Sequence, residues 1–207
     1  MSLTVAPSLH RFVPRRALET TAFGYEVIVR SQGVDDCIAT VQWADCWCPD
    51  AAQFILVQAS DDLSAATCES LIHAIDDSHL RPKIRLVCRS QSLADDDLIA
   101  ILHRKEIGFL LEAESREEIE SLAETGILGV RVDANAALGS ANETSPLWSA
   151  RQLLRAAHDL GLRSIASQST DSAEVGNLLA LGFDYVSCAD GGFVPAEPGF
   201  AWQRKLA

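Results

Sequence analysis

Apolar and polar positions along this chain follow two rhythms that take turns. Short apolar runs stand at "SLTVAP", "FGYEVIVRS", "QFILVQA", "KIRLVCR", "IGFLLEA", "LGVRVD", "LRSIAS" and "FDYVSC". Their length and their Val, Ile and Phe content predict eight strands. From the second strand onward, the intervening stretches carry helix-like segments near 35–47, 64–77, 92–105, 115–125, 147–160 and 171–181. A short C-terminal helix is expected near 199–206.

Local signals agree with these spans. Ser115-x-x-Glu118 forms a capping box ahead of Ile119 and Leu122, and Asp171-x-x-Glu174 is an aspartate version of it. Ser64 and Ser92 each precede a helical apolar pattern, while Gly126, Gly161 and Gly182 stand where helices should stop.

Strands that alternate with helices become parallel strands joined by crossovers. Eight of them close most naturally into an α/β, (β/α)8-like (TIM-type) barrel. Only "HRFVPRRALETT" separates the first two runs and no helix fits there, so these form a hairpin that contributes one antiparallel strand. The barrel wall is expected from "FILV", "IRLV", "FLL" and "VRV", with the second strand at 22–30 and the last at 183–188. No linker, repeat or low-complexity tract divides residues 1–207, which read as a single domain.

Composition narrows the chemistry. Apolar content of 48% and charged content of 22% suit a globular core. No apolar run is long enough to span a membrane, and the first residues lack a signal-peptide apolar region, so a cytoplasmic protein is expected. A net charge of −12 argues against nucleic acid or an anionic membrane surface as partner. The six cysteines include no CxxC pair, and "CWC" at 46–48 lacks the second ligand pair of a tetrahedral metal site. No GxSxG, P-loop or GxGxxG occurs, so nothing points to a serine hydrolase or a nucleotide cofactor.

Two segments carry a family likeness. "GYEVIVR" at 24–30 resembles the opening motif of EAL-type cyclic di-GMP phosphodiesterases, with Glu26-Val27-Ile28 where the family has Glu-Ala-Leu. The stretch 153–188, "LLRAAHDLGLRSIASQSTDSAEVGNLLALGFDYVSC", is similar to the family's last helix-strand-helix-strand in spacing and apolar pattern. The resemblance implies a (β/α)8-like barrel with one antiparallel strand. It also implies phosphodiester hydrolysis by two Mg2+ or Mn2+ ions held by carboxylates at the strand ends.

That ligand set is largely replaced here. Glu26 matches, whereas Gln58 stands for an Asn, and Cys88 and Gln91 stand for an acidic pair. "LLEAES" offers Glu112 and then Ala113 for two aspartates. Arg131 replaces a lysine, Asp133 matches, Ser167 replaces a carboxylate and Ser187 replaces a glutamine. Two carboxylates are too few for a two-metal site, Cys88 is the wrong ligand type, and Arg131 keeps its proton up to a pKa above about 12. The expectation is a protein without catalytic residues, metal ligands or cofactor. Its vestigial ligand-binding residues would be Glu26, Arg30, Glu112 and Arg131.

Each of these has a plainer reading. Glu26 and Arg30 are four apart on one strand face and fit a buried polar network as well as a phosphate contact. Glu112 precedes Glu114, Glu117 and Glu118 and suits a helix-start charge. His73, His103 and His158 fall within helices as solvated side chains, and none of the five histidines marks a strand end. Trp43, Trp47, Trp148 and Trp202 are compatible with either a core or a partner-facing place, and Trp43 and Trp47, four apart on one helix, have the spacing of a ridge for a partner. The expected role is a non-catalytic domain in bacterial signalling that acts by protein–protein contact, with a homodimer compatible. The alternative is a metal-independent cyclic di-GMP receptor using Arg30, Glu26 and Arg131, helped by the N–H groups of Gly191 and Gly192. Weak dinucleotide binding is expected at most.

Overall fold

Each of eight strands pairs with its neighbours in chain order, and the first returns to pair with the last. The structure is a computed structural model that describes residues 8–14, 24–28, 33–48, 52–133, 146–169 and 172–189. The strands are β1 (Ser8–Pro14), β2 (Gly24–Ile28), β3 (Phe54–Gln58), β4 (Ile84–Arg89), β5 (Gly108–Glu112), β6 (Gly129–Asp133), β7 (Arg163–Ser169) and β8 (Tyr185–Ala189). β1 runs antiparallel to both β2 and β8, and every other pairing is parallel. A closed sheet has no free edge. The expected barrel with one antiparallel strand is the fold observed.

The first strand lies elsewhere than the pattern suggested. Residues 2–7 fall outside the described residues, and β1 occupies the start of the stretch read as a connector. Its inward positions alternate between polar His10 and apolar Phe12, so no apolar run announces it.

The helices are α1 (Val34–Trp47), α2 (Cys68–Asp77), α3 (Ser90–Leu93), α4 (Asp96–Arg104), α5 (Arg116–Leu122), α6 (Pro146–Asp159) and α7 (Ser172–Leu181). Two differ from expectation because side chains bond backbone groups locally. Ser64 caps no helix; its N–H donates to Thr67 Oγ1 at 3.0 Å, and α2 starts one turn later. The span 92–105 is broken at Asp95, which accepts from the N–H groups of Asp97 and Leu98 and also of Ala65 in the loop between β3 and α2. Asp95, not Ser92, is the cap of α4. The capping box at Ser115 and Glu118 is present in both directions. Gly126 takes φ 85° as it ends the 3-10 turn after α5, a conformation that favours glycine. Asp171 and 199–206 lie outside the described residues. No described helix is long and apolar enough to cross a membrane.

Two cores follow from the alternation of strand side chains. Outward residues such as Ile55, Val57, Leu86, Phe109, Leu111, Val130 and Val132 pack under the helices. Inward residues Phe12, Leu56, Val87, Leu110 and Ile165 fill the barrel itself, with Phe54 and Tyr185 beside them. The rings of Phe12 and Phe54 lie 5.1 Å apart, and Tyr185 meets Phe54 edge-on at 5.7 Å. Gly24 makes room for this cluster, since a Cβ there would come within 2.2 Å of the Phe54 ring. The lower barrel is therefore a dry floor.

Candidate functional site

Two residues farther along a strand, the side chain again points inward. Stepping so from the floor replaces Leu56 by Gln58, Val87 by Arg89, Leu110 by Glu112, Ile165 by Ser167 and Tyr185 by Ser187. Glu26 and Arg131 complete this polar layer at the C-terminal mouth, the end where catalytic groups gather in such barrels.

The layer is held together by ionic hydrogen bonds. Arg131 Nε donates to Glu26 Oε1 at 2.6 Å, and Arg131 Nη1 donates to Glu112 Oε1 at 2.5 Å. Ser187 Oγ donates to Glu26 Oε2 at 2.5 Å. Gln58 Nε2 donates to Glu112 Oε2 at 3.1 Å, where Arg89 Nε also approaches at 3.5 Å. All four oxygens of the two carboxylates thus accept from side-chain donors. Arg89 also pairs with Asp61 at 3.0 Å at the rim.

Burial makes these contacts strong. The side chains of Glu26 and Arg131 are each only 3% exposed, and that of Glu112 is 19% exposed. Burial alone would lower the pKa of Arg131, but the charges of Glu26 and Glu112 outweigh it and hold the guanidinium above its ordinary range. His10 stands opposite Glu26 in the β1–β2 register. Burial pulls its pKa below the ordinary value; Glu26 opposes that and Arg131 adds to it.

The residues present do not fit a divalent-metal centre. Both carboxylates are engaged by donors, and Gln58 presents its amide N–H rather than an oxygen to Glu112. Among the described residues, no group of three or more His, Cys, Asp or Glu is placed to hold a metal ion. Cys88 faces away from the mouth in the outer core, where burial pushes its thiol up to about 12 with Cys37 close by. Ala113 also belongs to the outer core, and Gln91 is exposed on α3. Ser167 is fully buried and donates to Val132 O at 3.5 Å.

Of the sequence candidates, Glu26, Glu112 and Arg131 come together as one network. Arg30 and the Gly191–Gly192 pair lie outside the described residues. Sequence reasoning missed Arg89 and His10 and gave Gln58 and Ser187 no role as donors. The two-residue step from each inward apolar residue was the signal that marks Arg89.

No family model and no curated protein matches the sequence. Solved structures do match. The EAL domain of Mycobacterium smegmatis DcpA is 17% identical, with a TM-score of 0.64 over 88% of this chain and 90% of that one. A standalone EAL protein from Vibrio cholerae O395, in its c-di-GMP bound form, is 13% identical with a TM-score of 0.65 over 91% of each chain. The FimX EAL domain from Pseudomonas aeruginosa bound to c-di-GMP is 11% identical, with a TM-score of 0.63 over 88% and 87%. The fold is that of EAL domains. In this EAL-type barrel Glu26 stands at the mouth and is paired with the guanidinium of Arg131.

Elsewhere, the rings of Trp43 and Trp47 stack with centroids 5.9 Å apart on α1, as their spacing suggested. Trp202 and the side chain of Trp148 lie outside the described residues. His158 is not simply solvated: its ring meets Ser164 Oγ at 3.3 Å beside Asp184, at the opposite end of β7 from the mouth.

Proposed function

We propose that this chain is a non-catalytic EAL-type domain that acts in bacterial signalling through a protein partner. The observation that carries this is the engagement of all four oxygens of Glu26 and Glu112 by Arg131, Ser187, Gln58 and Arg89. Metal-assisted hydrolysis needs open coordination positions and a group able to move protons. Here each carboxylate oxygen already accepts a hydrogen bond, and the central cation is an arginine that keeps its proton.

A protein partner suits the surface better than an anion does. At the mouth, Arg89 and Arg131 face Glu26, Glu112 and Asp61, so fixed charge does not favour two phosphates. The net charge of −12 opposes them further. The half-buried Trp43–Trp47 stack offers the kind of aromatic surface enriched at protein interfaces.

A second reading, a metal-independent cyclic di-GMP receptor, is favoured by one observation: structural neighbours are c-di-GMP complexes. Calorimetry at low salt separates the two. The proposed role predicts no binding tighter than about micromolar with or without Mg2+. Tight binding that Arg89→Ala abolishes would establish the receptor instead.

A further inference from the structure

Glu112 and Arg131 sit on adjacent strands β5 and β6, whereas Glu26 on β2 lies four strands from Arg131 in either direction around the closed sheet. The guanidinium therefore reaches across the barrel and draws together two carboxylates from separate sides of the mouth. Two largely buried carboxylates that converge in this way repel each other unless positive charge lies between them. A guanidinium meets that need by hydrogen bonds; a small divalent ion would meet it by coordination.

We propose that Arg131 is a resident cation occupying the place a divalent ion would take between Glu26 and Glu112. The wild-type mouth then excludes Mg2+ and Mn2+, and removal of the guanidinium opens a site for one such ion. This concerns what the mouth can hold, while resting on the same network as the functional reading above.

The surrounding residues make the exchange specific. Arg131 is 3% exposed and does not titrate away, so a metal ion cannot displace it by competing with a proton. Ser187 holds the other oxygen of Glu26, and Gln58 and Arg89 hold the other oxygen of Glu112. Both carboxylates thus keep donors that hold them in place when Arg131 is lost. Asp133, two positions farther along the same strand, acts electrostatically on Arg131 but does not join Glu26 and Glu112 in a three-carboxylate cluster, so the ion would rest on those two carboxylates and water. Oxygen donors of this kind suit Mn2+ and Mg2+.

The test uses the full chain as wild type, Arg131→Met and the double variant Glu26→Gln/Arg131→Met. Free Mn2+ is followed by electron paramagnetic resonance, and Tm is measured in EDTA, excess Mg2+ and excess Mn2+. Wild type should show no saturable Mn2+ binding and the same Tm in all three solutions. Arg131→Met should bind one Mn2+ per chain with a saturable isotherm that wild type lacks. Its Tm should rise by about 5–10 °C at a hundredfold excess over Kd. The double variant should lose both gains. If Arg131→Met does not fold in EDTA, its circular dichroism is recorded after refolding with and without Mn2+; recovery only with the ion supports the proposal, and no recovery overturns it. Stoichiometric Mn2+ binding by wild type, or a folded Arg131→Met without any gain, also overturns it. Wild type that binds Mn2+ yet leaves cyclic di-GMP intact would defeat this inference alone, whereas turnover would defeat the functional reading.

Discussion

Arg131 and Glu26 lie 105 positions apart in sequence and meet at 2.6 Å across the barrel mouth. Neither side chain is more than 3% exposed, so the pair joins β6 to β2 inside the closed sheet. A strut of this kind stiffens the rim of the barrel mouth. It also ties the fate of the site to the stability of the fold.

Loss of one partner should be costly and loss of both should be mild. Glu26→Ala takes away the carboxylate that accepts from Ser187 and from the buried guanidinium of Arg131, at a cost of about 3–5 kcal/mol. Glu26→Gln/Arg131→Met, which removes both charges, should be far less destabilising than Glu26→Gln and Arg131→Met added together. Urea unfolding of wild type, these two single variants and the double variant measures the coupling. Additive single and double effects would show that the two residues act independently.

Stability should fall as pH drops below about 6.5. His10 is held below that ordinary value chiefly by burial, so the folded chain takes up its proton at lower pH than the unfolded chain. Between the two values the unfolded state binds more protons, so stability is lost as pH falls through this window and levels off below the folded pKa. His10→Gln should flatten that slope in denaturant titrations between pH 5 and pH 7. An unchanged slope would assign the effect to other groups.

The cysteines should divide by exposure. Cys37, Cys48, Cys68 and Cys88 are buried, Cys188 is half-buried and Cys46 is exposed. Burial pushes the thiols of Cys48 and Cys88 up to about 12, which further suppresses the reactive thiolate. Cys46 should react first with a thiol reagent in native protein, and the four buried cysteines only as fast as the barrel opens. Fast native labelling of Cys88 would contradict its place in the outer core.

The barrel was legible because its outer core repeats one pattern. Runs such as "FILV" and "IRLV" bury both faces of a strand, and helix stops such as Gly126 and Gly182 stand where glycine is required. The polar layer at the mouth was not legible in the same way. Inward positions there carry Gln58, Arg89 and Glu112, which in sequence look like solvated strand ends. Glu26 and Arg131 were recognised as candidates, but their pairing depends on barrel closure, which no local signal reports. β1 was misplaced for a related reason, since His10 faces the polar mouth and interrupts the apolar rhythm. Cys88 falls at a ligand position by family resemblance alone, and that resemblance does not separate inward from outward positions on β4.

Turnover of cyclic di-GMP by purified wild-type protein, in excess Mg2+ and then excess Mn2+, tests the central claim most directly. Product is separated by chromatography and compared with a no-protein control. Because Arg131, Ser187, Gln58 and Arg89 occupy every oxygen of Glu26 and Glu112, no hydrolysis above the control is expected with either ion. Metal-dependent hydrolysis that Glu26→Gln abolishes would contradict the account.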